Sequence, residues 1–411
     1  MKQNRWVVFG VCAGLFIMSM LYRASNAVIA PALVTDLGLG PEELGLLGAV
    51  FFYAFALAQL PLGLALDRFG SKGTMIGLNM IGLAGAILFA MSRTPLEAII
   101  GRSLLGLGMS ANLMGSLALY TRWYTAGEFA TISGLMLGIG TLGGVLATTP
   151  LVLLSTAAGW RGSFVILALI NLLLLAGLIF LVRETPPDWP SNLEPGTNVS
   201  RLSLMKASRY LFSSRSFWAI AITSGLRYGV YASIQTLWAG PFLIIHLGFS
   251  ELTAGNLLLS LNIGFILGSP FGGYVSDRVL KSRKKVVFIS MSSMAVSIFV
   301  LALWPGAKAL GLLYPFMFLF GFLSSFGQIM FAQIKELMPG QMAGRAMTGI
   351  NFFIMIGAGI FLMGLGELLS QSGGSGVNGD ADYRSAFLFC AFILAASLGA
   401  YAFSRDSFQK K

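Results

Sequence analysis

The chain has 411 residues, of which 56% are hydrophobic and only 10% are charged. Soluble domains carry about 25% charged residues, so this composition excludes an ordinary soluble protein. The net charge of +11 does not indicate a nucleic-acid partner, because the basic residues collect on one side of a series of apolar blocks. Cys12 and Cys390 lie in apolar stretches and are interpreted as small core hydrophobes, not as a disulfide or metal pair.

Apolar blocks of roughly 20 residues, the length that crosses a bilayer core, recur along the chain. In lipid each block must satisfy its own backbone hydrogen bonds, and the alternation typical of barrel strands is missing, so we expect helices. The first block lacks a cleavage site after a short apolar core and is expected to be a retained helix. The twelve predicted helices span 6–34, 43–66, 73–91, 96–124, 128–155, 160–182, 216–246, 252–276, 284–305, 308–337, 343–370 and 383–405.

A polar, proline-containing stretch separates the first six predicted helices from the last six. We therefore predict an N-terminal six-helix bundle at 1–182, a cytoplasmic linker at 183–215 and a C-terminal six-helix bundle at 216–411. Most of the 27 Lys and Arg residues fall on the side of the predicted helices that also holds both termini. By the positive-inside rule, both termini are cytoplasmic.

The two halves repeat each other. A constant offset pairs Pro31 with Pro241, Gly38 with Gly248, Asp67 with Asp277 and Arg68 with Arg278. The last two pairs belong to G-x-x-x-D-R loops, after the second and the eighth helix. The chain thus resembles the major facilitator superfamily, which implies two parallel six-helix repeats. We expect these four charged residues to serve gating or structure by latching the halves in one of two alternating states.

Three arginines are placed within the membrane and away from the ends of predicted helices: Arg23, Arg102 and Arg227. A charge at the bilayer centre costs about 2.5–3.5 kcal/mol, so each is a functional candidate. None of the 16 Asp and Glu residues is placed at mid-helix, and His246, the single histidine, is placed at a helix end. Arg23 and Arg227 therefore predict an anionic substrate, since arginine binds carboxylate or phosphate bidentately and stays charged. The alternative is that they bond backbone carbonyls. Arg102 is assigned to gating or structure.

Other candidates for substrate binding are polar or aromatic residues in apolar helices. Amides and phenols bond hydroxyls and carboxylates, and an indole stacks on rings. Five of the candidates, counting Arg227, recur at helical spacing and predict one polar face on the seventh helix. The polar and aromatic candidates are Tyr22, Asn26, Tyr53, Asn112, Tyr228, Tyr231, Gln235, Trp238, Asn262, Gln328 and Asn351. For each of them, the alternative is an interhelical hydrogen bond or a place at the membrane interface.

The segments MLYRASNAVIAPAL, LRYGVYASIQTLWAGP and VRETPPDWP resemble the organophosphate:phosphate antiporters and the neighbouring anion:cation symporters. In the antiporters, arginines of the first and seventh helices grip the phosphate, which implies this role for Arg23 and Arg227. The chain departs from the resemblance at two basic positions. Gln59 replaces a lysine of the second helix, and Gly140 replaces a histidine of the fifth. The symporters' carboxylate beside the first arginine is also replaced, by Tyr22.

We therefore expect a secondary transporter that moves a small organic anion (carboxylate, sugar acid or phosphate ester) by alternating access. It is expected to be a multi-pass protein of the cell inner membrane and a monomer, with no nucleic-acid partner, cofactor or metal and no enzymatic activity. Without a mid-membrane proton carrier, exchange or facilitated diffusion is favoured over proton symport. Two alternatives stay open: an exporter of a neutral or amphiphilic compound with structural arginines, and a transporter-like ligand sensor.

Overall fold

The computed structural model describes residues 5–186, 211–304, 310–338, 343–371 and 383–408. Within these ranges the regular structure is helical and no strand occurs, so the predicted all-α class is confirmed. Most of the predicted linker at 183–215 lies outside the described residues, including the basic segment from position 201 to 210.

Two compact units divide the chain. The first comprises Met1–Gly38 and Val50–Thr197, and the second comprises Leu39–Ala49 and Asn198–Lys411. The helices of the first part of the chain are α1 (Arg5–Ala24), α2 (Asn26–Leu37), α3 (Pro41–Met91), α4 (Pro95–Met109), α5 (Asn112–Trp123), α6 (Ala126–Gly140), α7 (Leu142–Leu146) and α8 (Thr149–Leu181). The opening turns of α3 group with the second unit.

The helices of the second part of the chain start with α9 (Arg215–Ser233), which continues through two π-helical stretches, Ile234–Trp238 and Phe242–His246. Pro241 lies between these stretches; a proline lacks the N–H of a regular turn, and its ring crowds the preceding one. The other helices are α10 (Glu251–Tyr274), α11 (Arg283–Ala302), α12 (Leu310–Ser325), α13 (Ile329–Leu337), α14 (Ala343–Gln371) and α15 (Tyr383–Ala402).

Over most of its described length, each of the twelve predicted segments lies on one or more of these helices. Nine helices of the described ranges are long and apolar enough to cross a membrane, and Asn26–Leu37 and Thr131–Leu146 add shorter apolar helices. Segments predicted as separate are joined within α3 and α8. Each joint is a glycine with left-handed backbone, Gly70 (φ 73°) and Gly159 (φ 69°), which redirects the chain without a loop.

Glycines let neighbouring helices of one unit approach closely. In the first unit, a Cβ built on Gly106 would lie 2.2 Å from the carbonyl oxygen of Phe51. In the second unit, a Cβ on Gly264 would lie 2.0 Å from the carbonyl oxygen of Phe318. In lipid the hydrophobic effect does not drive helices together, so their association depends on van der Waals packing. Small residues at such crossings allow this packing, because the two backbones can approach closely.

This contact generates a stability prediction. Gly264→Ala forces α10 and α12 apart and should lower the unfolding free energy by about 1–3 kcal/mol, the cost of overpacking. The matched control is Gly311→Ala, on α12, where a Cβ meets no atom within 4 Å. Thermal unfolding of both variants in detergent measures the difference. Equal melting temperatures for Gly264→Ala and the unmodified protein would contradict the packing described.

Candidate functional site

Three buried charges stand out among the residues whose side chains the structure describes. Arg23 is 8% exposed, Arg227 is 3% exposed and Arg102 is fully buried, whereas no described Asp or Glu is buried. Of the acids near helix ends, Glu97 is half-buried and Glu367 is exposed. Glu97 belongs to the capping box at the start of α4, and Glu367 accepts a hydrogen bond from Gln371. Over the described chain, the three arginines are therefore buried without a buried carboxylate to neutralise them.

Arg102 projects from α4 toward the junction of α1 and α2. Its Nη1 donates to the carbonyl oxygen of Tyr22 at 2.8 Å and to the hydroxyl of Ser25 at 3.4 Å. Its guanidinium also lies over the rings of Phe51 and Phe89, 5.0 and 5.8 Å from their centroids. Carbonyl dipoles and aromatic faces thus stabilise this charge.

Arg23 follows directly after Tyr22 and has a different environment. Its guanidinium lies 4.9 Å from the ring centroid of Phe55 and 5.8 Å from that of Phe52. Its Nε is buried without a hydrogen-bond partner, and no ion pair of the described residues includes it. Of the three buried arginines, Arg23 is therefore the one for which the described residues give only aromatic contacts.

Arg227, on α9, is held against α12. Its Nη1 donates to the carbonyl oxygen of Ser324 at 2.9 Å, and its Nε has no partner. A Cβ built on Gly327 would lie 2.2 Å from Cζ of Arg227, so glycine is needed there for the guanidinium to fit. One N–H of the Arg227 guanidinium is thus bonded to a backbone carbonyl, as the alternative interpretation of this residue expects. Its Nε remains without a partner.

Two polar candidates of the first unit accompany Arg23. The hydroxyl of Tyr22 is buried without a partner, and its ring lies 5.9 Å from that of Phe164. Asn26 is 1% exposed, and neither its amide nitrogen nor its amide oxygen has a hydrogen-bond partner. Because most buried polar atoms are paired, unpaired ones next to Arg23 in the chain favour a ligand-binding role. Tyr53 is half-buried.

Asn112 has instead a structural environment. Its amide nitrogen donates to the carbonyl oxygen of Leu15 at 3.1 Å, and its amide oxygen accepts from Asn79 at 2.7 Å. These bonds join α5, α1 and α3 inside the first unit, so the interhelical alternative accounts for Asn112.

In the second unit, the structure brings four of the candidates into two pairs. Tyr228 and Tyr231 have ring centroids 6.2 Å apart, and Gln235 donates to the amide oxygen of Asn262 at 2.6 Å. The predicted polar face is not regular, however, because Gln235 lies in a π-helical stretch, which adds a residue to the turn.

The last three candidates are separate from these pairs. Trp238 is buried and donates its indole N–H to the carbonyl oxygen of Leu362 at 3.2 Å. Gln328 is exposed and accepts from Ser269, and Asn351 is half-buried with no hydrogen bond described. Trp238 therefore contributes to the packing between α14 and the π-helical stretch Ile234–Trp238.

Asn171 was missed in the sequence. It lies on α8, is fully buried, and both of its amide atoms lack a partner. The available signal was a single amide inside the apolar run ILALINLLLLAG, which is the same kind of pattern that selected Asn262. Its neighbours on the same helix, Phe164 and Leu174, lie against Tyr22 and Gly14 of α1.

The two G-x-x-x-D-R loops, at 63–68 and 273–278, are called signature loops below. The first signature loop is organised by a residue outside it. The carboxylate of Glu184 accepts from the backbone N–H groups of Ser71 and Lys72, at 2.8 and 2.7 Å, and pairs with Arg122. These N–H groups directly follow Gly70, where the left-handed backbone starts a new helical segment, so Glu184 caps its N-terminus. Asp67, within the loop, is exposed and has no hydrogen bond or ion pair within the described chain.

Arg68 in the first loop lies 5.3 Å from the ring centroid of Phe69, and Arg278 in the second loop is exposed. In the second loop, Arg283 pairs with both Asp277 and Glu336.

Asp406 has the role in the second unit that Glu184 has in the first. It accepts from the backbone N–H of Arg283 at 3.0 Å and from the hydroxyl of Ser282. Burial raises the pKa of Asp406, but these bonds and those from Phe408 and Lys284 outweigh it and hold the pKa below the ordinary value. In each unit a carboxylate after the last helix therefore caps a helix that follows a signature loop.

With this geometry in place, comparison with known proteins defines the class. The family model of the Major Facilitator Superfamily matches residues 11–250 and 222–411. The chain belongs to this superfamily and is a multi-pass membrane transporter, not an enzyme, as the sequence indicated.

Several curated relatives are named as transporters of small anions. A hexuronate transporter of Bacillus subtilis is 26% identical over 96% of this chain and 92% of its own. A probable sulfoacetate transporter of Cupriavidus necator is 25% identical over 71% of this chain and 72% of its own. A probable hexose phosphate transport protein of Chlamydia trachomatis is 24% identical over 94% of this chain and 89% of its own.

Solved structures confirm the fold. The D-xylose-proton symporter superposes with a TM-score of 0.78 at 16% identity, covering 99% of both chains. A bacterial homolog of the lysosomal transporter Spinster, inward-facing and occupied, has a TM-score of 0.78 at 15% identity, over 98% of this chain and 97% of that chain. At these identities the likeness concerns the fold and not the substrate.

The capping arrangement leads to a second prediction. Glu184→Gln removes the charge that accepts from Ser71, Lys72 and Arg122 and should lower the unfolding free energy by about 1.5–3 kcal/mol. Asp67→Asn, at an exposed position without a partner, should stay within about 0.5 kcal/mol. Detergent thermal unfolding compares the two. A larger loss of stability in Asp67→Asn than in Glu184→Gln would contradict the capping role of Glu184.

Proposed function

We propose that this chain is a secondary transporter that moves a small organic anion across the cell inner membrane by alternating access. The observation that carries the proposal is the set of buried arginines without a buried carboxylate among the described residues. Arg23 and Arg227 are proposed to bind the negative charge of the substrate. A carboxylate supplies the acceptor oxygens that the guanidinium donors lack.

The hydrogen bonds of the three arginines support Arg23 most clearly, because Arg102 and Arg227 each donate from Nη1 to a carbonyl oxygen and each has an Nε without a partner. Arg102 is fully buried and directed at a carbonyl oxygen and a hydroxyl. For Arg23 the described residues supply contacts with aromatic rings but no hydrogen-bond or ion-pair partner, and Arg227 uses one nitrogen for Ser324. An unneutralised buried charge costs several kcal/mol, so an anion that supplies the missing partner binds favourably.

The charge of the substrate follows from two positions where the resembled antiporters are basic. Gln59 is neutral and donates to the carbonyl oxygen of Ser110 at 3.2 Å. Gly140 leaves no room for a side chain, because a Cβ there would lie 2.0 Å from the ring of Phe16. With both basic groups replaced, a singly charged carboxylate fits better than a doubly charged phosphate ester.

The remaining polar groups favour a hydroxylated carboxylate. Asn26 and the Gln235–Asn262 pair offer amides, and Tyr22 and Tyr231 offer buried hydroxyls without partners. Amides and phenols bond the hydroxyl groups of sugars through both donor and acceptor atoms. The relative named for hexuronate agrees with a singly charged sugar acid as the substrate class.

Exchange is the proposed mode of coupling. Proton carriers in transporters are commonly buried Asp, Glu or His residues, and over the described chain none of these types is buried. The substrate then remains as the group that neutralises the arginines. A transporter that reorients empty has to move uncompensated charges through a low-dielectric state, so reorientation with bound anion is favoured.

The third prediction concerns the two arginines. Arg23→Lys and Arg227→Lys keep a positive charge but lose the planar fork, and each should weaken binding of D-glucuronate about 10- to 100-fold. The measurement is thermal stabilisation of the purified protein, where ligand at about 100 times its dissociation constant adds roughly 2.7 kcal/mol. Acetate, inorganic phosphate, glucose 6-phosphate and neutral D-glucose complete the panel.

Arg93→Lys is the matched control, because Arg93 is exposed at the start of α4 and its substitution should leave the affinity unchanged. Stabilisation by neutral or hydrophobic compounds, with no response to any anion, would favour the exporter with structural arginines. Wild-type affinity for D-glucuronate in both lysine variants would remove the role proposed for Arg23 and Arg227.

A fourth prediction tests coupling in proteoliposomes. D-glucuronate inside the vesicles should accelerate uptake of labelled D-glucuronate, because exchange needs substrate on both sides. An imposed pH gradient, acidic outside, should change the uptake rate less than twofold, because the described chain offers no buried acid or histidine. Accumulation driven by the pH gradient into vesicles without internal substrate would establish proton symport instead.

A further inference from the structure

The helix is interrupted between α1 and α2 at Ser25, two residues after Arg23. α1 ends at Ala24 and α2 begins at Asn26. The carbonyl oxygen of Tyr22 accepts from the hydroxyl of Ser25 at 3.0 Å and from Nη1 of Arg102 at 2.8 Å. Two side-chain donors fill the two lone pairs of this oxygen and compete with the backbone N–H of the next turn, which accounts for the interruption.

The bonded oxygen belongs to the peptide unit that leads into Arg23. Because a peptide unit is planar, a fixed carbonyl of Tyr22 also fixes the N–H and the Cα of the following residue. The direction in which the Arg23 side chain leaves the backbone therefore depends on the bond from Arg102.

The same aromatic surface also holds both arginines. Arg102 lies over Phe51, Arg23 lies over Phe52 and Phe55, and the ring of Phe51 is 5.8 Å from that of Phe52 and 6.4 Å from that of Phe55. A displacement of the Arg102 guanidinium therefore disturbs the rings against which Arg23 packs, because close-packed interiors transmit strain.

We propose that Arg102 is a positioning residue, which clamps the carbonyl of Tyr22 and so directs Arg23 toward the transported anion. The proposal rests on the proposed function, in which Arg23 binds that anion. Arg102 acts through the backbone and the phenylalanine rings and does not touch the substrate. Lysine does not replace it, because a flexible ammonium offers neither the planar face for stacking nor a directed N–H.

The first test is a double-mutant cycle of Arg102→Lys and Arg23→Ala, read as the dissociation constant of D-glucuronate. If Arg102 acts through Arg23, Arg102→Lys should weaken binding about 10-fold in the unmodified protein and less than about 2-fold when Arg23 is already alanine. An equal loss in both backgrounds would overturn the proposal, because Arg102 would then act independently of Arg23.

A milder variant covers the case in which Arg102→Lys fails to fold. Ser25→Ala removes the second donor to the carbonyl of Tyr22 and should weaken D-glucuronate binding about 3-fold, again only when Arg23 is present. The matched control is Ser110→Ala, since Ser110 is also buried in the first unit and its hydroxyl donates to a carbonyl three residues earlier, that of Leu107. Equal effects of the two serine variants would contradict the clamp.

Hydrogen exchange of the backbone amides separates this proposal from the proposed function. Arg102→Lys and Ser25→Ala should speed exchange in a peptide covering residues 22–29, relative to peptides of α8, whereas Arg23→Ala should not. If Arg23→Ala leaves the affinity for D-glucuronate unchanged, the role of Arg23 in the proposed function fails, and the exchange rates alone decide the clamp. Unchanged exchange in both clamp variants would overturn it.

Discussion

A guanidinium inside a membrane-spanning helix needs a partner that either neutralises or solvates it, and much of the interior of this protein can be understood from that constraint. Arginine does not escape by losing its proton, because its pKa is too high. The structure places three arginines in this situation without a buried carboxylate among the described residues. The differences between Arg23, Arg102 and Arg227 follow from how the surrounding helices meet the need of each one.

The transmembrane architecture could be predicted because hydropathy and charge report directly on the bilayer. Apolar length sets the spans, and each of the twelve predicted segments lies on helices over most of its described length. The burial of Arg23, Arg102 and Arg227 was predictable for the same reason, since each stands alone in an apolar run. Local glycine chemistry was less visible: Gly70 and Gly159 turn the chain inside continuous helices where loops were expected.

The partners of these residues could not be predicted, because hydropathy gives the depth of a residue but not the rotation of its helix. The bond from Trp238 to Leu362 joins residues far apart in the chain, as does the capping of Ser71 by Glu184. The π-helical stretch around Gln235 changes which residues share a face, so an ideal spacing misplaces the later members of the series. Asn171 is an amide in an apolar run, as Asn262 is, but it is not among the predicted site residues.

The two sequence repeats satisfy the same constraint with different residues. The signature loops align between the halves, and each unit caps a helix with a carboxylate that follows its last helix, Glu184 or Asp406. The buried arginines do not align, since Arg102 lies on α4 and Arg227 on α9.

Arg102 and Arg227 nevertheless make similar contacts. Each donates to a carbonyl oxygen beside a helix irregularity, at Tyr22 before the break at Ser25 and at Ser324 before the 3-10 turn Phe326–Gln328. An interrupted helix presents carbonyl oxygens that a regular helix would use internally, and a buried guanidinium supplies the donors for them. One hydrogen bond therefore satisfies both the free carbonyl oxygen and the buried guanidinium, so that Arg102 and Arg227 stabilise the irregular backbone and are stabilised by it. Arg23, for which only aromatic contacts are described, remains the arginine most available to a ligand.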